Sequence, residues 1–225
     1  MKICNKYRSM GGCGLAVASG LALVLGGFLA GDGYTAQVET SEQSTATGCA
    51  TAEDCFAAAI WPKERLSHAL TKDQAVALKL ERLRKVMEAF PTTQWAKRAG
   101  LLTGMILIDR NPAGALPYLR AAQRDFLVLD DYIRLWIGEA LLRLGDAKEA
   151  AGMFEGVSQA VPDSNLLNQV AFRAGEAWYQ ASSCPDAVSW FVKAINVNER
   201  DQQISQAWLR LASCYLRENQ LTEGR

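Results

Sequence analysis

Six cysteines and a single histidine, His68, carry most of the reactive side-chain chemistry in this 225-residue chain. His68 lies in the polar stretch KERLSHALTKD, and no cysteine or second histidine lies at metal-ligand spacing from it. No two cysteines follow the C-x-x-C pattern of a zinc site. We therefore expect His68 to be an exposed helix residue, and we expect neither a metal site nor a cofactor.

Catalytic motifs are the second feature of chemical interest. The chain has no phosphate-binding GxxxxGK[ST], no G-x-S-x-G and no H-E-x-x-H. A Ser-His-Asp arrangement would depend on His68, which no glycine-rich turn accompanies. The acidic pairs Glu53 with Asp54 and Asp130 with Asp131 are adjacent, so their carboxylates do not face each other on a helix. The sequence predicts that these residues carry no enzyme activity.

The first 36 residues differ from the rest of the chain. Three basic residues, Lys2, Lys6 and Arg8, precede residues 15–30, an uncharged run of apolar and small side chains. This order is typical of a secretory signal peptide, with Ala36 as the candidate cleavage position. The run would span roughly 24 Å as a helix, less than the ~30 Å of a bilayer core. We predict an exported, periplasmic protein; the alternative is an uncleaved segment that anchors the chain to the inner membrane.

Four cysteines lie beyond this segment, and an even number in an exported protein permits two disulfides. Cys49 and Cys55 are close in sequence and are expected to pair locally. Cys184 and Cys214 are then expected to bridge neighbouring helical units. The alternative is that all four are buried or free thiols, and the sequence alone does not choose between the two.

The remaining chain divides into a linker and a helical region. Residues 37–52 are small and polar, which predicts a linker, and residues 53–225 predict the folded domain. Leu80, Leu83 and Met87 recur at helical spacing within a helix predicted at residues 71–89. Asp146 and Asp163 are expected N-caps. Further helices are predicted at residues 94–109, 112–124, 130–144, 147–160, 165–181, 185–197 and 201–219. With no alternating run that predicts a strand, the fold class is all-α.

An internal sequence repeat indicates which kind of all-α architecture to expect. The stretch GEALLRLGDAKEAAGMF, which begins at Gly138, is echoed by GEAWYQASSCPDAVSWF, which begins at Gly175. Small residues mark the middle of successive first helices at Gly104, Gly138, Gly175 and Ala212, with spacings of 34, 37 and 37 residues. Periods of this length predict stacked helix pairs, because one pair cannot bury its apolar face alone.

The units resemble the tetratricopeptide repeat, which places Trp, Leu-Gly and Tyr in its first helix and Ala, Phe and Pro in its second. The matching residues are Ile137, Gly138, Leu141, Ala150, Phe154 and Pro162; Gly175, Trp178, Ala187 and Phe191; Trp208, Leu211, Ala212 and Tyr215; and, more weakly, Gly104, Leu107, Ala115 and Leu119. The resemblance implies a right-handed superhelical solenoid of stacked antiparallel helix pairs. Its small residues mark close helix crossings, and its large residues fill the space between pairs.

The same resemblance implies that the first helix of each pair lines a concave binding surface. Residues one turn from the core positions are expected to point into it, and the candidates are Glu139, Arg143, Phe172, Glu176, Tyr179, Gln180 and Arg217, together with Leu135, Leu142, Leu209, Ser213 and Leu216. Arg143 and Arg217 are expected to hold a carboxylate or phosphate through forked hydrogen bonds. Tyr179 is expected to stack on a sugar or peptide. The alternative is that each of these residues is a solvated surface side chain.

Residues 80–225 also resemble the helical N-terminal region of bacterial soluble lytic murein transglycosylases. The resemblance rests on Pro91, Trp95, Arg98, Ala99, Gly104, Asp131 and Tyr132. It implies a scaffold linked to peptidoglycan turnover in the cell envelope. The Glu-Ser pair and the Gly-Leu-Met-Gln run of that family's catalytic domain are absent from these residues, so the resemblance assigns no cleavage activity to them.

Two hypotheses of function follow. The first is an exported scaffold that binds a protein, peptide or glycan partner in the cell envelope. The second is that these residues form the non-catalytic front of a lytic transglycosylase, since Trp208, Leu211 and Tyr215 are expected to need a further covering helix. An envelope-assembly scaffold without chemistry is a third option. Zero formal net charge disfavours a nucleic-acid partner, and a membrane contact is expected only through an uncleaved N-terminal segment.

Overall fold

The computed structural model describes residues 49–61, 70–197 and 202–223, without the side chains of 197, 202 and 220–223. In these ranges the chain forms helices and turns and no strand. The helices are α1 (Ala52–Ile60), α2 (Lys72–Ala89), α3 (Gln94–Leu107), α4 (Pro112–Asp125), α5 (Asp130–Leu144), α6 (Ala147–Ala160), α7 (Leu167–Gln180), α8 (Cys184–Val197) and α9 (Gln202–Glu223). The predictions for the N-terminal segment, for residues 37–48 and for His68 lie outside the described residues.

Short polar side chains cap the starts of α1 to α4, and one glycine ends α5 sharply. Thr71 and Gln74 form a reciprocal capping box at the start of α2, which satisfies backbone N–H groups that the helix leaves open. Asn111 accepts a hydrogen bond from the backbone of Gly114 at the start of α4. Gly145 ends α5 with φ of 88°, a left-handed conformation that glycine adopts without steric cost. These caps explain why neighbouring helices are joined by tight turns.

The start of α7 differs from the sequence prediction. The expected N-cap, Asp163, lies in the preceding turn, and the helix begins at Leu167 rather than at residue 165. Ser164 replaces it as the anchor, because its buried hydroxyl donates a 2.6 Å hydrogen bond to Asp131 and accepts one from the backbone of Leu166. The prediction of Asp163 as a cap was therefore wrong, and the tertiary contact to α5 sets where the helix begins.

Helices α3 with α4, α5 with α6, and α7 with α8 form three pairs in which the second helix returns along the first. Each pair crosses where a glycine meets a large side chain. The contacts are Gly104 with Leu119, Gly138 with Phe154, and Gly175 with Phe191. A Cβ atom on Gly138 would lie 2.5 Å from the ring of Phe154, which is fully buried. The expectation that small residues mark close crossings is confirmed at these three positions.

A half-buried carboxylate and an apolar core connect successive pairs. One hydrophobic cluster extends from α3 to α7, and a second joins α7, α8 and α9. Glu155 on α6 accepts hydrogen bonds from the indole N–H groups of Trp178 on α7 and Trp190 on α8, at 2.6 and 2.7 Å. A single carboxylate thus holds one pair against the next. No helix among those described is long and apolar enough to cross a membrane.

The four cysteines beyond the N-terminal segment lie in two pairs. Cys49 and Cys55 are joined beside α1, with their Cα atoms 5.4 Å apart. Cys184 and Cys214 join α8 to α9, with a Cα separation of 5.3 Å. Both separations are typical of disulfides. Helix α1 itself begins at Ala52, inside the stretch predicted as linker, because Thr51 caps it.

Candidate functional site

The predicted binding residues lie on α5, α7 and α9, where ion pairs connect one first helix to the next. Each of these pairs joins residues 34 positions apart in the sequence. The members, which we call the charged row, are Asp109 with Arg143, Glu139 with Arg173, and Glu176 with Arg210. The second and third pairs follow the repeat, because each acid comes one residue after the glycine of one unit and each arginine two residues before the small residue of the next. Asp109 differs, since it lies in the turn after α3.

At α5 the side chains of the charged row are already paired with one another. Arg173 donates two hydrogen bonds to the two carboxylate oxygens of Glu139, the bidentate geometry that suits a guanidinium. Arg143 donates to Glu139 at 3.1 Å and also to Asp109. Two carboxylates therefore face Arg143, and its predicted role in binding an external carboxylate would require both contacts to yield.

At α7 the row continues through a buried acid. Glu176 is buried and accepts a 2.9 Å hydrogen bond from Nε of Arg210 on α9. This hydrogen bond is the main reason that the pKa of Arg210 is raised above its ordinary value. Arg210 therefore remains a cation, and it neutralises a carboxylate that burial would otherwise make costly.

Tyr179 contacts two guanidinium groups through its ring. The Cζ atoms of Arg210 and Arg217 are each 4.7 Å from the centroid of its ring, within the range of cation–π attraction. Arg217 is exposed, and no carboxylate among the described side chains forms an ion pair with it. Beside the last pair of the charged row, α9 thus carries an arginine that forms no ion pair with the described side chains.

The seven predicted binding residues fall into three groups. Tyr179, Gln180 and Arg217 are half-buried or exposed. Glu139, Arg143 and Glu176 are held in ion pairs, as described above. Phe172 is buried, with its ring 6.0 Å from that of Phe191, and the neighbouring candidates Leu135 and Leu142 are also buried. The arginines at 173 and 210 were not predicted, although their spacing of 34 residues from an acid was a readable signal.

Large apolar side chains are exposed along α9. Trp208, Leu209, Tyr215 and Leu216 have exposed fractions of 57%, 66%, 49% and 64%. Leu209, Ser213 and Leu216 follow at spacings of four and three, so they lie on one face of the helix. Ala212, the small residue of this unit, is exposed as well, whereas the corresponding glycines are covered by Leu or Phe.

Comparison with known proteins agrees with this architecture. Residues 132–164 match the family model of the tetratricopeptide repeat. The match covers most of α5, all of α6 and the turn before α7, which is the unit that supplies Gly138 and Phe154. No curated protein matches the chain. The helical structure and this one matched unit together support a tetratricopeptide-like repeat protein. Stacked repeats of this kind commonly provide binding surfaces for other molecules.

Proposed function

We propose that this chain is a protein-interaction scaffold and that its partner binds the exposed face of α9 and the adjoining surface of α7. The observation that carries the proposal is the concentration of large exposed apolar side chains on α9. Large apolar side chains that are exposed together are typical of interaction sites. Tryptophan and tyrosine, both present here, also contribute strongly to protein interfaces. The proposal includes no catalytic role.

The proposal places the scaffold in the cell envelope. Its support is the signal-peptide pattern of residues 1–36 and the pairing of Cys49 with Cys55 and of Cys184 with Cys214. Its stacked pairs are proposed to form the right-handed superhelix that the resemblance implies. Stable disulfides belong to oxidising compartments, so the paired cysteines and the signal-peptide pattern support the same hypothesis.

Photo-crosslinking in the native cells tests the interaction surface. A photoreactive phenylalanine analogue is placed at Leu216 on α9 and, as the matched control, at Val192, an exposed apolar residue of α8. We expect adducts with another protein from position 216 that are lost in the Leu209→Ser variant, and none from position 192. Equal adducts from both positions, or adducts only with a second copy of the chain, would contradict a specific partner at α9.

Thiol labelling with a maleimide polymer tests export. Cleavage after Ala36 would remove Cys4 and Cys13 and leave the four cysteines that the structure pairs. We therefore expect no labelling of the denatured protein from cells until a reductant is added. Labelling at two positions before reduction would indicate an uncleaved segment, and labelling at all positions would contradict an oxidising location.

The finer hypothesis links the scaffold to peptidoglycan turnover, as part of a lytic transglycosylase. It rests on the resemblance of residues 80–225 to the helical region of that family. Co-sedimentation of the purified chain with isolated sacculi tests it, with the sacculi digested to soluble fragments as the control. Sedimentation that disappears after digestion would support the hypothesis. A chain that stays in the supernatant while it still binds its protein partner would rule it out.

A further inference from the structure

Arg143 on α5 and Arg217 on α9 occupy equivalent positions in their repeats. Each lies five residues after the small residue of its first helix, which is Gly138 for one and Ala212 for the other. The two side chains therefore leave corresponding faces of their helices. The two sites therefore differ in which residues occupy the neighbouring repeat positions.

The carboxylates that face Arg143 have neutral counterparts at Arg217. Asp109, five residues after Gly104, corresponds to Gln180, five residues after Gly175. Glu139, one turn before Arg143, corresponds to Ser213, one turn before Arg217. Neither replacement carries charge, and the hydroxyl of Ser213 donates a 2.9 Å hydrogen bond to the backbone of Leu209.

Among the described side chains, no carboxylate forms an ion pair with Arg217, the neighbouring Glu218 included. Glu176 is hydrogen-bonded to Arg210, so its negative charge is already balanced. Tyr179 contacts Arg217 through its ring, which orients the guanidinium without neutralising it. On the same helix, Leu209 and Leu216 expose apolar surface beside the arginine. The described part of α9 therefore presents an arginine without an ion pair next to exposed aliphatic side chains.

We propose that Arg217 binds the side-chain carboxylate of an acidic residue in a partner peptide, which carries an aliphatic residue for Leu209 and Leu216. The bound carboxylate takes the place that Asp109 and Glu139 take at Arg143, with forked hydrogen bonds to the guanidinium. This inference rests on the proposed function, because it names the chemistry that the interaction surface recognises. Charge complementarity with Arg217 favours an acidic segment over a neutral one.

A fluorescent peptide tests the assignment. The probe is a labelled, C-terminally amidated peptide of alternating glutamate and leucine, and its control has glutamine at every glutamate. We expect the full chain to bind the acidic peptide about tenfold or more tightly than the glutamine peptide, as measured by anisotropy at low salt. In Arg217→Gln this preference should disappear, and in Arg217→Lys part of it should remain. Arg124→Gln removes an exposed arginine of α4 and should leave it unchanged.

A double variant rebuilds the surroundings of Arg143 at Arg217. Gln180→Asp with Ser213→Glu supplies internal carboxylates, so we expect it to abolish acidic-peptide binding while the helical circular dichroism signal and the unfolding midpoint stay near those of the parent. The proposal is overturned if the double variant binds as the parent does, or if both peptides bind equally well. In the latter case loss of binding in Leu209→Ser would show that the interaction surface is apolar and that the proposed function survives. Failure of both peptides, together with no crosslinked partner at position 216, would overturn both.

Discussion

The α5–α6 pair and helix α9 carry residues at equivalent positions of the repeat, but different neighbours surround these residues. Gly138 on α5 is covered by the ring of Phe154, whereas Ala212 on α9 is exposed. Arg143 faces two carboxylates, whereas Arg217 forms a cation–π contact with Tyr179 and no ion pair with the described side chains. The comparison teaches that a repeat position is structural or available for binding according to what its neighbours supply.

The largest expected difference concerns the large apolar side chains of the two regions. Phe154→Ala should lower the free energy of unfolding by about 4 kcal/mol, because it leaves a cavity opposite Gly138. Trp208→Ala on α9 should change it by no more than about 0.5 kcal/mol, because that side chain is mostly exposed. Urea titration followed by circular dichroism measures both. Similar losses in the two variants would show that the face of α9 is covered in the protein.

Loss of the disulfide to α9 should lower the stability more than loss of the disulfide at α1. The bond between Cys184 and Cys214 closes a loop of 30 residues' separation, against 6 for Cys49 and Cys55. Chain-entropy estimates give about 3.6 kcal/mol for the longer loop and about 2.2 kcal/mol for the shorter one. Double alanine substitutions of each pair, compared by guanidinium unfolding, measure the difference. A larger loss from the short loop would contradict the view that the bridge to α9 is the more important one for stability.

Substitution of glycine by alanine should change stability in opposite directions at a close helix crossing and at an open helix surface. Gly138→Ala should lose about 1 to 2 kcal/mol of stability, since its Cβ would meet Phe154. Gly152→Ala on α6 has no atom within 4 Å of the new Cβ, so it should gain about 0.5 to 1 kcal/mol from helix propensity. Thermal unfolding distinguishes the opposite signs. A gain in stability at both positions would mean that α5 and α6 can move apart slightly at little energetic cost.

The smallest effects should come from the two equivalent arginines. Arg143→Gln should cost about 0.5 kcal/mol, because exposed ion pairs contribute little, and Arg217→Gln should cost close to nothing. The difference should shrink in about 1 M salt, which screens surface charges. Urea midpoints at low and high salt provide the measurement. A substantial loss in Arg217→Gln would indicate a structural role for that residue instead of an available cation.

Much of the helical architecture was predictable from sequence. The bounds predicted for α5 and α6, at residues 130–144 and 147–160, are confirmed. Their signals are local: apolar spacing, a glycine that ends α5 and a repeated pattern of small and large residues. The start of α7 was less predictable, because the buried hydrogen bond of Ser164 with Asp131 joins residues 33 positions apart.

The candidate site was only partly predictable. Spacing identified the face that carries Tyr179 and Arg217, but it also included Phe172, which is buried against Phe191. A helical position has a fixed direction around its own axis, whereas its exposure depends on which helix packs against it. The sequence therefore named suitable side chains without separating those that face solvent from those in the core.

By itself, the sequence determined an all-helical repeat protein, because helix propensity, capping and the spacing of glycines act within one or two turns of the chain. Only the tertiary structure decided which charges are balanced. Asp109 reaches Arg143 and Glu176 reaches Arg210 across 34 residues, and these contacts exist only when successive first helices lie side by side. The same packing leaves Arg217 without a carboxylate among the described side chains. Coulomb attraction and hydrogen bonding depend on the distance between atoms, and folding rather than sequence order sets that distance.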